Sequence, residues 1–379
     1  MNLKKIKNIV LLITKTKFQI QKPKISDILI FDYVGSDNFT EYFKNYNYDI
    51  LHIRGEKINL FIILKCLFNF KINFQNYINE YIKISKPKIV ITFIDNNYFF
   101  YTLKKYNPEI KTIFVQNGIR SHLTDIFGKK EILRKKKSYS VDYMFTSNDI
   151  IGKKYNGFIK GAIVPIGYFK NNKHLINSNS RKKEMLYIST HRNLELDKKI
   201  YGKYTWSDVI KNDEIFLKWL NYFCILNKIK INILARYNDN SGCEKEKFYF
   251  DKFFNKYNFI TSSNPYKIID KYKYLITNDS TLGIENLARG GITAFICNRL
   301  NIYPFNTRKF GWMEGFPKIG FFWTHFNNIN EFSRVINNIF FGKKKKIFKE
   351  INYYRKKIVE YDKGNKKFNF IIKTIIHRR

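Results

Sequence analysis

The chain has 379 residues, a formal net charge of +38, and 44% hydrophobic and 18% aromatic content. That length exceeds one ordinary compact core and predicts two domains, and the apolar content excludes a chain disordered throughout. The charge invites a polyanion, but lysine greatly outnumbers arginine, whereas surfaces that read phosphate and base use arginine forks, so specific nucleic-acid binding is not expected.

The N-terminal apolar run Ile9–Ile13 is too short for a signal peptide or a membrane span. The longest apolar region, Leu60 to Phe70, is interrupted by Lys65 and Asn69 and predicts a buried helix. Cys66, Cys224, Cys243 and Cys297 are far apart, with no CxxC or Cys/His cluster to hold zinc. A cytoplasmic protein is expected, soluble or peripheral on the inner face of the membrane.

In chain order, Ile28–Phe31 predicts a strand ending in Asp32-Tyr33-Val34-Gly35-Ser36, and Ile50–Ile53 a second before Arg54-Gly55. Ile58–Phe70 and Phe74–Ile84 predict helices. Ile89–Ile94 is a strand ended by Asp95-Asn96-Asn97, and a helix through Leu103 follows. Ile113–Val115 is ended by Gln116-Asn117-Gly118, and Tyr143–Thr146 by Ser147-Asn148-Asp149. Short all-apolar strands alternating with helices mean a parallel sheet covered on both faces. Ligands bind such sheets at the strands' carboxyl ends, where Asp32, Asp95, Asn96, Gln116, Asn117 and Asn148 fall. The competing reading of each is a turn residue that satisfies loop backbone.

Lys160–Ser180, with Gly161, Pro165 and Gly167, loses periodicity and suggests an interdomain linker. A second α/β series follows. Its expected strands are Met185–Ser189 before Thr190-His191-Arg192, Ile231–Leu234 before Ala235-Arg236, and Phe259–Thr261. Its expected helices are Ile215–Leu226, Phe248–Tyr257 and Pro265–Lys271. Strand Tyr274–Thr277 then runs through Asn278-Asp279-Ser280 into a short helix that stops at Gly290-Gly291, before strand Ile292–Cys297. Asp279 or Ser280 suits the helix N-cap, and the free N–H groups and positive dipole end at Asp279, Ser280 and Thr281 suit an anion. Glu285, one turn in, is placed for sugar or ribose hydroxyls. The expected domains are 1–172, 181–330, and a helical tail 331–379 with the basic run Lys343–Lys346. That run, followed by Ile347, Phe348, Ile351 and Tyr354, would dock on anionic lipid.

The chain has no G-x-G-x-x-G after a strand and no P-loop, which disfavours nicotinamide, flavin and ordinary NTPase chemistry. No D-x-D metal site stands out. Two successive Rossmann-like halves facing a cleft, with C-terminal helices, match the GT-B layout. Three segments carry a resemblance: Lys86–Asn97, Ile113–Arg120 and Asn278–Gly290. In that order they resemble bacterial O-antigen and surface-carbohydrate biosynthesis proteins, a group similar to GT-B enzymes that include teichoic-acid glycerophosphotransferases. The resemblance spans residues 28 to 330 and implies transfer of a sugar or polyol-phosphate to a growing surface glycan. Glycerophosphotransferases carry His-Gly where this chain has Asn117-Gly118, which argues against phosphotransfer through a histidine there.

The expected activity is metal-independent glycosyl transfer, with a nucleotide-sugar as substrate, no cofactor, and a glycan or lipid-linked acceptor. Such transfer needs a base for the acceptor hydroxyl and positive charge for the leaving diphosphate. The candidate bases are Asp95, then Asp32, then His122. The diphosphate would meet Arg192 and Arg236, helped by His191 and the Ser280–Thr281 helix start. Asn96, Gln116, Asn117 and Arg120 would orient the acceptor. The rival readings are a sugar-nucleotide epimerase, a polyol-phosphate transferase, a basic nucleic-acid-binding protein and an inactive scaffold.

Overall fold

The computed structural model describes residues 16–70, 72–118, 139–174, 181–196, 199–201, 204–302 and 316–377. The chain divides into two compact units. Unit 1 holds residues up to Asn117, Thr124–Lys170 and Asn365–Arg379, and unit 2 holds Gly118–Leu123 and Asn171–Gly364. Among the described residues no helix is long and apolar enough to cross a membrane.

Unit 1 contains β1 (Lys17–Gln19), β2 (Ile28–Phe31), β3 (Tyr48–Leu51), β4 (Lys57–Asn59), β5 (Ile89–Thr92), β6 (Lys111–Val115), β7 (Ser140–Thr146) and β8 (Lys160–Pro165). The main sheet has the order β3-β2-β5-β6-β7-β8, with every pairing parallel. β1 and β4 form a separate parallel pair. β2 and β5 are buried along their whole length, as a sheet covered on both faces requires. β8 replaces the linker expected from residue 160. Its glycine and proline suggested a loop, but it is an edge strand, where a missing N–H is tolerated.

The helix Lys366–His377 belongs to unit 1. Phe368, Ile372 and Ile376 join Ile30, Phe39 and Phe145 in one core. Asn365 fastens its start by donating to the Tyr42 hydroxyl at 2.7 Å and the Phe169 carbonyl at 3.0 Å. The segment 331–379 is thus shared: helices Ile329–Phe340 and Lys344–Ile358 lie in unit 2 and the last helix in unit 1.

Unit 2 contains β9 (Lys182–Ile188), β10 (Lys199–Tyr201), β11 (Tyr204–Thr205), β12 (Ile231–Leu234), β13 (Asn258–Ile260), β14 (Tyr272–Thr277), β15 (Ile292–Ile296), β16 (Ile319–Gly320) and β17 (Trp323–Thr324). Its sheet has the order β13-β12-β9-β14-β15-β17-β16. Leu186, Ile188, Ile269 and Leu275 fill one side. On the helix Trp206–Leu226, Phe216 meets Phe332 with ring centroids 5.9 Å apart. That helix starts nine residues earlier than the hydrophobic spacing from Ile215 suggested. A reciprocal capping box between Thr205 and Asp208 sets its start.

Candidate functional site

Where strand order reverses in an open parallel sheet, adjacent loops diverge and leave a crevice at the carboxyl ends. In unit 2 this point lies between β9 and β14. The β9 loop carries Ser189-Thr190-His191-Arg192 and the β14 loop carries Asn278-Asp279-Ser280.

Asn278 has no solvent exposure. Its Oδ1 accepts from the Tyr187 hydroxyl at 2.9 Å and from Thr190 Oγ1 at 3.2 Å, and its Nδ2 donates to Asn298 Oδ1 at 2.8 Å. One amide thus ties together the ends of β9, β14 and β15. A buried polar group is tolerated only when so satisfied, and the network fixes the loops that frame the crevice.

Arg299, just past β15, is also buried. Its guanidinium forks onto Asp213, with Nε 3.0 Å from Oδ1 and Nη2 on Oδ2. Nη2 also donates to the Thr190 carbonyl at 3.3 Å, and Nη1 lies 3.5 Å from Asp279 Oδ1. Burial opposes the charge on Arg299, but Asp213 and then Asp279 outweigh it and hold its pKa above the ordinary value. The Trp206 ring lies 5.9 Å from the guanidinium carbon of Arg299 and 5.9 Å from that of Arg192. Its indole N–H donates to the Arg192 carbonyl at 3.2 Å. Arg192 and Arg236 are both exposed.

The helix Thr281–Ala288 opens at this edge. Ser280 is its N-cap, accepting from the Leu282 N–H at 3.3 Å through Oγ and from the Gly283 N–H at 3.0 Å through its carbonyl. Among the described residues the Thr281 N–H has no acceptor. Gly283 lets the helix lie close on the sheet, since a Cβ there would sit 2.9 Å from Thr277 Cγ2. Gly290, with φ of 85°, ends the turn after the helix, as left-handed backbone favours.

Two expectations for unit 2 change. His191 is stacked on Tyr249 at 4.1 Å, with Nε2 3.2 Å from Asn193 Oδ1. Burial lowers its pKa to about 4, and repulsion from Arg299, Arg236 and Lys252 adds to this. His191 is therefore neutral at neutral pH, and its positive surroundings help to keep it so. Glu285 is buried, with Oε2 accepting from the Tyr266 hydroxyl at 3.1 Å, so its carboxylate is not held out for a sugar hydroxyl. The end of β12 is closed too. Glu246 accepts from the Arg236 N–H at 3.0 Å, the Tyr237 N–H at 3.2 Å and the Ser189 hydroxyl, and Arg236 itself is exposed.

In unit 1 the order reverses between β2 and β5, which places Asp32 and Asp95 at the crevice. Both carboxylates are occupied. Asp95 is fully buried and accepts from the Tyr155 hydroxyl and, at 3.4 Å, from the Asn117 N–H. Asp32 is 1% exposed, accepts from the Val34 N–H at 3.0 Å, and pairs with Arg54 at 2.7 Å. Neither is presented to an acceptor hydroxyl. Gln116 is buried and accepts from the Ser147 N–H at 2.8 Å, joining two strand ends instead of facing a ligand. Asn117 is exposed and Asn96 half-buried. Asn148 caps the helix Asp149–Asn156 by accepting from the Ile151 N–H at 2.7 Å. His122 and Arg120 lie outside the described residues.

Sequence reasoning passed over Arg299, Asp213 and Trp206, and took Asn278 only as a turn residue. Asn298-Arg299 follows a buried strand just as Arg192 and Arg236 do, so the same rule would have found it. Trp206 and Asp213 became visible only with the helix start that Thr205 and Asp208 mark.

Residues 113–376 match a family model described as "putative O-antigen biosynthesis protein". The chain belongs to that family. No curated protein matches it. Among solved structures it is similar to the wall teichoic acid polymerase TagF, with a TM-score of 0.52 and 15% identity over 99% of this chain and 96% of that one. It is also similar to a UDP-GlcNAc 2-epimerase from Methanocaldococcus jannaschii, with TM-score 0.51 and 12% identity over 92% and 99%. A glycosyltransferase from Rickettsia africae ESF-5 matches with TM-score 0.50 and 12% identity over 95% and 100%. Identities this low speak to the fold, and the GT-B-like architecture expected from the sequence holds.

Proposed function

We propose that this O-antigen biosynthesis protein transfers a sugar from a nucleotide-sugar to a glycan or lipid-linked acceptor in the cytoplasm. The donor diphosphate lies at the β9–β14 crevice. The observation that carries the reading is the arrangement at that edge. A helix start at Thr281 whose N–H has no acceptor among the described residues stands in a fixed polar frame with Arg192, which shares the Trp206 ring with the buried Arg299. A helix tip contributes about 0.3–1 kcal/mol to an anion, and each charge-assisted hydrogen bond from an arginine about 1.5–3 kcal/mol. Arg192 and Arg236 bind the phosphate oxygens. Arg299 is a positioning residue, because its fork is spent on Asp213. Arginines and the helix tip, not a metal ion, face the leaving group in this reading. The four free cysteines fit a reducing compartment.

The match to an epimerase favours a second reading, since the fold serves both chemistries. An epimerase acts on the donor alone. Incubating the protein with nucleotide-sugars, with and without lipid-linked glycan, separates the two. Sugar transfer that requires the acceptor supports the proposal, and an isomerised donor in its absence replaces it.

A further inference from the structure

The apolar stretch that predicted a buried helix is instead one of the most exposed apolar regions of the molecule. Helix Leu60–Phe68 packs Ile62 and Cys66 inward, but Leu64 is 52% exposed and Phe68 82%. Just beyond it Phe70 is 96% exposed and Ile72 70%. The next helix, Phe74–Ser85, then carries the chain back into the core through Ile78 and Ile82. The large apolar side chains therefore gather where the two helices meet.

The backbone supplies a second observation. Phe70 has φ of 52°. Glycine or asparagine usually fills such a left-handed position, because a Cβ there crowds the next carbonyl. The turn is well formed, with the Asn69 N–H on the Lys65 carbonyl at 3.2 Å and the Phe70 N–H on Leu67 at 2.9 Å. An aromatic residue thus holds an unfavourable backbone and leaves its ring in solvent.

Charge says what covers the surface. Residues 57–76 contain lysines and no aspartate or glutamate, and the same is true of residues 16–25. The two stretches are joined by the β1–β4 pairing, Phe18 opposite Ile58. Ile20 is 76% exposed, and Lys22, Lys24 and Lys65 are exposed. The charges these two stretches carry are all cationic, and the carboxylate that acts on Cys66 is Glu80 of the next helix.

We propose that this turn docks unit 1 on an anionic bilayer. Phe68, Phe70 and Ile72 enter the acyl boundary while the lysines meet the headgroups. The C-terminal basic run is the weaker docking surface. Of the residues that were to insert beside Lys343–Lys346, Ile347 and Ile351 are 4% and 1% exposed and Phe348 and Tyr354 are half-buried, so that helix offers less apolar surface than the Phe68–Ile72 turn. Docking stands on the surface alone. Only its link to a lipid-linked acceptor rests on the transferase reading above.

The test is co-sedimentation of the full chain with phosphatidylcholine vesicles, with and without phosphatidylglycerol, read together with the thermal shift caused by nucleoside diphosphates. Wild type is expected to sediment with the anionic vesicles. F68S combined with F70N should lower partitioning by more than about tenfold while the nucleotide shift stays unchanged, because the loss follows from apolar area withheld from lipid. K344Q, K345Q and K346Q together should keep most of the binding. F70W should show a blue-shifted emission with anionic vesicles only. Absence of binding by wild type, unchanged binding by F68S/F70N, or no emission shift from F70W would overturn the proposal. So would loss of a dimer with vesicle binding intact, since the tip would then be a self-association face. Loss of the nucleotide shift in every variant and in wild type would count against the donor site and leave docking standing.

Discussion

The two sheets put polar residues at the same topological position and use them differently. At the β2–β5 crevice of unit 1 the carboxylates turn inward: Asp95 holds Tyr155 and the Asn117 backbone, and Asp32 holds Arg54. At the β9–β14 crevice of unit 2 the inward work is done by Asn278 and Arg299, and Arg192 and Arg236 remain exposed. A strand end marks where a ligand is able to bind. Whether a given residue faces it depends on which internal partners claim that residue first.

The largest expected effect breaks the frame in unit 2. Arg299→Ala strands Asp213, and uncovering one half of a buried ion pair costs about 3–5 kcal/mol. Urea unfolding should register this as a lower midpoint. Replacing Asp213 as well, by leucine, should restore part of the loss, and a nearly neutral single substitution would show that the pair does not hold the frame.

Next in size is a response to acid. His191 has its pKa lowered to about 4 by burial and by nearby cations, whereas in the unfolded chain it titrates near the ordinary histidine value of 6.5. Between those values the unfolded chain binds the extra proton, so stability is intact above about pH 6.5 and falls as pH drops toward 4, by up to about 3 kcal/mol. His325 is held low by burial and then by Lys318, and acts in the same direction. Melts across this range should show the slope, and His191→Gln should flatten it. A slope unchanged in that variant would mean that other groups set the acid response.

Asp95→Asn probes unit 1. The side chain is a buried acceptor, so the change should cost about 1–3 kcal/mol and leave nucleotide binding alone. A variant of full stability with no turnover would reverse the comparison and restore Asp95 as the acceptor base.

Much of this architecture was legible because buried parallel strands announce themselves as apolar runs. Ile28–Phe31, Ile89–Thr92 and Ile231–Leu234 fall where their side chains require. β8 was not legible, because glycine and proline mark a loop and an edge strand alike. Site residues were harder. Asp95 and Arg192 look equivalent in sequence, each following a strong strand, but Tyr155, which claims Asp95, stands 60 residues away. Phe70 was misjudged for the opposite reason: apolar character predicts burial, and here the backbone turns the ring outward.

The β9–β14 crevice as a diphosphate site is the claim on which the transferase reading depends. The direct measurement is calorimetric titration of a nucleoside diphosphate, chosen from a thermal-shift panel, into wild type and Arg192→Ala. Loss of the charge-assisted contact should weaken binding by roughly tenfold or more while the melting temperature without ligand stays close to wild type. Equal affinity in the two proteins, or no binding by any nucleoside diphosphate, would contradict it.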